Sequence, residues 1–181
     1  FIRKHFIILY GCNIYGRNRS GSEDSSLNIL YVCASIFLEV QVNKEYHNIL
    51  LKLAKKASDK GEIPVAAIIE KDGKVIAKAY NKKHCANIPV YHAEILAIKK
   101  ACRKLKTWHL DDCSMYVTLE PCPMCYYAIV ESRIKNVYYM LDSKYYDSIN
   151  NKLNKTEKIK VADDEYLQLL QDFFKKLRNK F

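Results

Sequence analysis

From Asn43 onward the chain switches between two hydrophobic rhythms. Tyr46, Ile49, Leu50, Leu53, Ala54 and Ala57 recur three or four residues apart, the spacing of one face of an α-helix. Asn43 supplies an N-cap for that helix and Gly61 a stop. Val65-Ala-Ala-Ile-Ile is a short unbroken apolar run, read as a buried strand. Asp72-Gly73 predicts a tight hairpin into a second strand, Val75 to Asn81. His92 to Lys104 reads as a helix with Ala93, Leu96, Ala97 and Ala101 facing inward. Ser114 to Leu119 is a strand, Pro123 to Glu131 a second central helix, and Asn136 to Met140 another strand. A last helix starts near Asp163, with Tyr166, Leu170, Phe173, Phe174 and Leu177 as its inner stripe. Helix, hairpin and then strand–helix units, with no internal repeat, predict an α/β sandwich with a mixed sheet.

Residues 1–43 follow neither rhythm. Phe1-Ile-Arg-Lys-His-Phe-Ile-Ile-Leu-Tyr puts a basic start before a short apolar run, and a polar stretch from Asn13 to Asn28 leads to a second one. That order resembles an organelle-targeting leader, although upstream sequence with no part in the fold reads the same way. The expected division is an N-terminal extension over 1–43, a leader or disordered, and one catalytic domain over 44–181. No membrane span is expected, since the longest uncharged apolar stretch, Ile29 to Leu38, is closed by Glu39.

Composition narrows the picture a little. The 181 residues suit one domain with a sizeable core. Thirty Lys and Arg against twenty Asp and Glu leave a net charge of +10. Such a surplus suits a nucleic acid or an anionic membrane surface, and compositional drift toward lysine produces it too. Seven scattered cysteines make poor disulfide arithmetic and point to a reducing compartment or a metal site.

The chemistry concentrates in two short motifs. His92-Ala93-Glu94 is followed thirty residues later by Pro121-Cys122-Pro123-Met124-Cys125. One imidazole and two thiolates are ligands zinc favours, and three protein ligands leave the fourth position of a catalytic zinc for water. Pro123 fits the first turn of a helix, so Cys122 sits at the helix mouth, where free N–H groups and the helix dipole favour thiolate. Glu94, two residues past a ligand on the same turn, is placed to move protons between water and substrate. A structural zinc site would need a fourth ligand; His109 and Cys113 are the nearest spare donors and lack ligand-pair spacing. A redox Cys-x-x-Cys would leave His92 and Glu94 without a role. Cys12, Cys33, Cys85, Cys102 and Cys113 read as core or surface thiols, and most of the paired tyrosines as structural.

Together these motifs make up the signature of zinc nucleobase deaminases. Residues 44–181 resemble, more specifically, the tRNA-specific adenosine deaminases of the bacterial TadA type, in the cytidine deaminase-like superfamily. The resemblance runs through Gly61-Glu62-Ile63-Pro64-Val65, Asn81, His92-Ala93-Glu94-Ile95, Tyr116 to Cys125, Ser132-Arg133-Ile134, Asp142-Ser143-Lys144 and Leu170-Gln171-Asp172-Phe173-Phe174. It implies a three-layer α/β/α sandwich with a mixed five-stranded central sheet. It further implies one zinc ion per chain on His92, Cys122 and Cys125, with Glu94 catalytic, and a homodimer acting on a tRNA anticodon loop. The reaction implied is hydrolysis of the wobble adenosine to inosine. Asn81 is then expected to hydrogen-bond the target nucleoside, Val65 to line the base pocket and Asp142 to contact the backbone beside the flipped base. Lys82, Lys83, Lys135 and Lys144 stand near those residues as phosphate partners.

The chain departs from the family in three places. Tyr126 and Tyr127 replace small residues on a helix face used for dimer packing and the site rim. The segment before Asp142 is one residue short, and the Asn/Lys-rich stretch from Lys144 to Val161 lacks a Gly-rich loop. A free-base or nucleoside deaminase of the same fold, acting on guanine, cytosine or cytidine, is the competing enzyme. A non-catalytic partner subunit is the alternative outside enzymology, and Glu94 argues against it. The compartment expected is intracellular: a plastid-like organelle or mitochondrion if the extension is a leader, otherwise the cytoplasm.

Overall fold

The computed structural model describes residues 43–143, 156–161 and 163–179. The 1–42 stretch, Lys144 and the Tyr145-Tyr146 pair lie outside the described residues.

Helix α1 (Lys44–Asp59) begins where expected: the Asn43 side chain accepts the Glu45 N–H at 2.9 Å. It ends before Gly61, whose φ of +74° lies in the left-handed region. Strands β1 (Ala66–Lys71) and β2 (Lys74–Tyr80) form the hairpin. Asp72 and Gly73 both take positive φ, the conformation a two-residue turn between twisted strands requires. A single helical turn, α2 (Lys83–Ala86), follows and was not foreseen in the sequence. Then come α3 (Ala93–Leu105), β3 (Cys113–Leu119), α4 (Pro123–Glu131), β4 (Asn136–Leu141), β5 (Glu157–Lys160) and α5 (Asp164–Arg178).

The sheet has five strands in the order β2-β1-β3-β4-β5. β1 runs antiparallel to both neighbours, and β3, β4 and β5 are mutually parallel. The mixed five-stranded sheet is thus as expected, although no particular segment had been assigned to β5.

Alternation along β1 makes the three layers. Ala67 and Ile69 point into a cluster with Ala93, Ala97 and Ala101 of α3 and Ile129 of α4. Ala66 and Ile68 point to the other face, against Tyr46, Leu50 and Ala54 of α1 and Tyr166 of α5. Small alanines at the α3 contact let that helix approach the sheet closely.

Ile129 of α4 is fully buried in the core. One expectation about side-chain direction needs correction. On α5 only Tyr166 and Phe173 of the expected stripe are buried, while Phe174 is exposed. Residues 167, 170, 174 and 178 lie on a second helical face, which overhangs a cavity rather than the core.

Candidate metal centre and substrate cavity

Two helices begin at the same place. His92 is the N-cap of α3 and Cys122 the N-cap of α4, with Pro123 in the first turn. Neither residue caps its helix with its side chain. The imidazole and the thiol turn instead toward each other, and the first-turn N–H groups keep their positive field on that spot. The Nδ1 atom of His92 lies 3.6 Å from Sγ of Cys122 and 3.5 Å from Sγ of Cys125. All three donor atoms fall within 4.8 Å of one another. A tetrahedral ion with usual zinc–nitrogen and zinc–sulfur bonds would hold its N and S donors about 3.6 Å apart. The cluster therefore fits a metal ion without rearrangement, and among the described residues it is the one such group of three donors.

The same proximity sets the protonation of the three side chains. A hydrogen bond from Cys125 pulls the Cys122 thiol down to about 4, assisted by the His92 ring. Cys125, on the donor side of that bond and buried, is pushed up. His92 is raised by its bond to Cys122. Glu94 is fully enclosed, and burial raises its carboxyl. Its Oε2 makes no hydrogen bond to the protein. A buried oxygen without a partner is costly unless something else arrives to use it.

The group lies at the base of a cavity of about 970 Å³, lined by His92, Glu94 and Cys122 together with Val65, Asn81 and Asp142. All three residues tied to the nucleoside by resemblance are thus brought to the site. Val65 is buried just before β1. Asn81 is buried at the end of β2, and its Oδ1 accepts the Ala93 N–H at 2.9 Å, so it also pins the start of α3. Asp142 is exposed at the rim and paired with Lys160.

The far rim holds residues that the sequence reading tied to no role in the site. Glu120, on the loop just before Cys122, is bridged to Lys158 of β5 at 2.6 Å, and both side chains are little exposed (12% and 15%). Its second oxygen accepts the Ser143 N–H at 3.2 Å. Leu167, Leu170, Phe174 and Arg178 of α5 complete the wall. An i, i+3, i+7, i+11 stripe beginning at Leu167 was the available signal. Glu62, another lining residue, is fully buried. Its burial favours the neutral acid, yet the backbone N–H groups of Cys85 and His84 hold the carboxyl below its usual range.

Several named residues fall elsewhere. Arg133 places its guanidinium 5.0 Å from the Trp108 ring centroid and does not line the cavity. Of the four lysines expected near the substrate, Lys83 lines the cavity, whereas Lys82 and Lys135 do not. The two replacement tyrosines part company: Tyr126 is fully buried and Tyr127 is 60% exposed. His109 pairs with Asp111, and Cys113 is buried in β3, so neither joins the cluster. Among the described residues no helix is long and apolar enough to cross a membrane.

Comparison with known proteins gives the architecture its relatives. The MafB19-like deaminase family matches residues 42–178. A tRNA-specific adenosine deaminase of Aquifex aeolicus is 43% identical over 148 residues, covering 76% of this chain and 98% of its own length. A solved structure from work on A-to-I editing by tRNA:A34 deaminases at the wobble position superimposes with a TM-score of 0.60 at 30% identity, covering 64% of this chain and 96% of that one. A guanine deaminase of Bacillus subtilis is 49% identical over 76 residues, 42% of this chain and 49% of its length.

Proposed function

The chain belongs to the MafB19-like deaminase family, and from that premise we propose that it hydrolyses the wobble adenosine of a tRNA anticodon to inosine, releasing ammonia. The observation that carries the reading is Glu94: a buried carboxylate with a free oxygen, set beside three metal donors at the base of an open cavity.

His92, Cys122 and Cys125 are the residues that would hold one zinc ion. When bound, zinc supplies Lewis-acid activation of a water molecule for attack on an electron-poor ring carbon. Glu94 takes one proton as water attacks C6 and gives it to the ring nitrogen. It then takes the proton of the new C6 hydroxyl and gives it to the amino group, which leaves as ammonia with Glu94 back in its starting state. Val65 gives the base an apolar wall, and the Asn81 amide nitrogen is available to an acceptor on it.

RNA as substrate is supported by the rim. Its carboxylates have internal partners: Glu120 holds Lys158, Asp142 holds Lys160 and Asp172 receives Gln168. Lys83, Lys175 and Arg178 line the cavity and form no ion pair among the described residues. An anticodon loop presents phosphates to such cations and can splay a base into the cavity at low unstacking cost. A homodimer is also proposed, with exposed Met124 and Tyr127 of α4 as its apolar contact. The 1–43 extension is proposed as a targeting segment on composition alone.

The test compares turnover of an arginine tRNA with an ACG anticodon against free guanine, cytosine, adenosine and cytidine. Inosine in the tRNA and negligible turnover of the free compounds is expected. The reverse pattern would move the assignment to the guanine or cytosine branch, as the match to guanine deaminase allows. Light scattering that found an active monomer would remove the dimer.

A further inference from the structure

Beside the catalytic cavity lies a second one of about 240 Å³, lined by Lys60, Tyr80, Lys82, Cys85 and Ala86. The two share a wall. Cys85 lines the small cavity, and its N–H donates at 2.7 Å to Glu62, which lines the large one. Tyr80 and Lys82 also flank Asn81 in the chain. Whatever occupies the small cavity therefore sits next door to the substrate.

The side chains there are cationic and orderly. The ammonium groups of Lys56 and Lys82 lie 5.6 and 5.4 Å from the centroid of the Tyr80 ring. That distance suits a cation–π contact and restrains two otherwise mobile chains. Lys60 completes a set of three. Close by, Lys100 donates to the Lys78 carbonyl at 2.7 Å, and burial together with the charges of Lys82 and Lys78 draws its amine below the ordinary lysine value.

None of Lys56, Lys60, Lys82 or Lys100 is ion-paired; among the described residues the ion-paired lysines are Lys71, Lys158 and Lys160. Clustered like charges without counter-charges work against the folded chain. The same cluster becomes favourable when an external polyanion is bound and its counterions are released. We propose that this cavity is a phosphate-backbone subsite, in which Lys60 and Lys82 of its lining, with Lys56 beside them over the Tyr80 ring, hold a phosphodiester of the same RNA strand that delivers the target base. The inference rests on the RNA reading above and adds a place where the strand is gripped outside the catalytic cavity. Tyr80 acts as the platform that keeps two of the ammonium groups in position.

The test uses the full chain with Lys56→Gln and Lys82→Gln combined, which removes two charges and keeps much of each stem. An anticodon stem-loop bearing ACG is titrated by fluorescence anisotropy across a salt series, while inosine formation gives kcat and KM. Two lost phosphate contacts reduce the slope of log affinity against log salt by about 1.5. Affinity at low salt falls ~10-fold or more, KM rises in step, kcat stays unchanged and the thermal midpoint does not drop. The Lys56→Arg, Lys82→Arg pair restores binding. Unchanged affinity and slope, in a protein that binds and edits the RNA, overturn the subsite and leave the RNA reading intact. A drop in kcat and thermal midpoint without a change in slope makes the lysines structural and also overturns it. If the wild-type protein neither binds nor edits the RNA, both proposals fall together.

Discussion

The two walls of the catalytic cavity are built by different means. At one wall, the starts of α3 and α4 place four chemical groups from two stretches no more than four residues long. His92 and Glu94 are two residues apart and Cys122 and Cys125 three, so helix geometry alone fixes each pair. The opposite wall is gathered from the ends of β3 and β4 and from α5, with lysines of β5 bonded to its carboxylates. Its parts are tied by Lys158 to Glu120 and by Lys160 to Asp142, contacts that span 38 and 18 residues. One wall is thus a local construction that positions protons and a metal; the other is a long-range assembly that shapes access. Damage to the first should abolish turnover, and damage to the second should shift affinity and stability.

The largest effect is expected at the donors. Cys122→Ser removes one of three ligands, and elemental analysis should find the metal largely gone together with activity; full metal content would break the assignment of that wall. Next is Glu94→Gln, which keeps the donors and the fold. A general acid–base typically contributes ~10²–10⁴-fold, so kcat should fall by that order while metal content stays at wild-type level. A loss below about tenfold would give the proton work to another group.

Smaller effects belong to the opposite wall. Lys158→Met leaves Glu120 without its cation in a largely enclosed position. Denaturant unfolding should show a loss of about 1–3 kcal/mol, and KM should rise more than kcat falls, because Glu120 also holds the Ser143 N–H. Adding Glu120→Gln should recover part of the stability, since an unpaired buried charge costs more than a neutral pair. If metal content fell in Lys158→Met, the two walls would not be separable.

The smallest effect is a pH signature. Tyr139 of β4 is pushed up to about 12, first by burial and then by the Glu120 and Asp142 carboxylates of this wall. An unfolded tyrosine ionises near 10. The folded state therefore favours the neutral phenol, and the stability this contributes is present below about pH 10 and lost as pH rises toward 12. Tyr139→Phe should make the decline across that window shallower and leave stability at pH 7 nearly unchanged. An unaltered alkaline profile would separate Tyr139 from the rim.

The first wall was legible in the sequence for the reason it is local. Helix starts are marked by Pro123 and by the ligands themselves, and the Asp72-Gly73 turn needs only its own two positive φ angles. β5 was not legible because Glu157-Lys-Ile-Lys160 has the composition of a solvated loop. It is a strand through its parallel ladder to β4 and through two lysines that find carboxylates far away in the chain. The second face of α5 was merged into the core stripe because Phe174 and Leu170 are as apolar as Phe173. Only the third dimension shows that their face overhangs a cavity. Tyr126 differs likewise: a helix packed on the sheet buries a residue that the family resemblance places on a partner-facing side.

The most direct test of the whole account is the mass of the anticodon-loop fragment of arginine tRNA after incubation with the metal-loaded protein. Replacement of an amino group by oxygen adds about one mass unit, the change expected for hydrolytic deamination of a base. The account predicts that shift at the first anticodon position, absent with Glu94→Gln and absent after the metal is stripped. An unshifted fragment from a protein with full metal content, or a shift that survives Glu94→Gln, would contradict it.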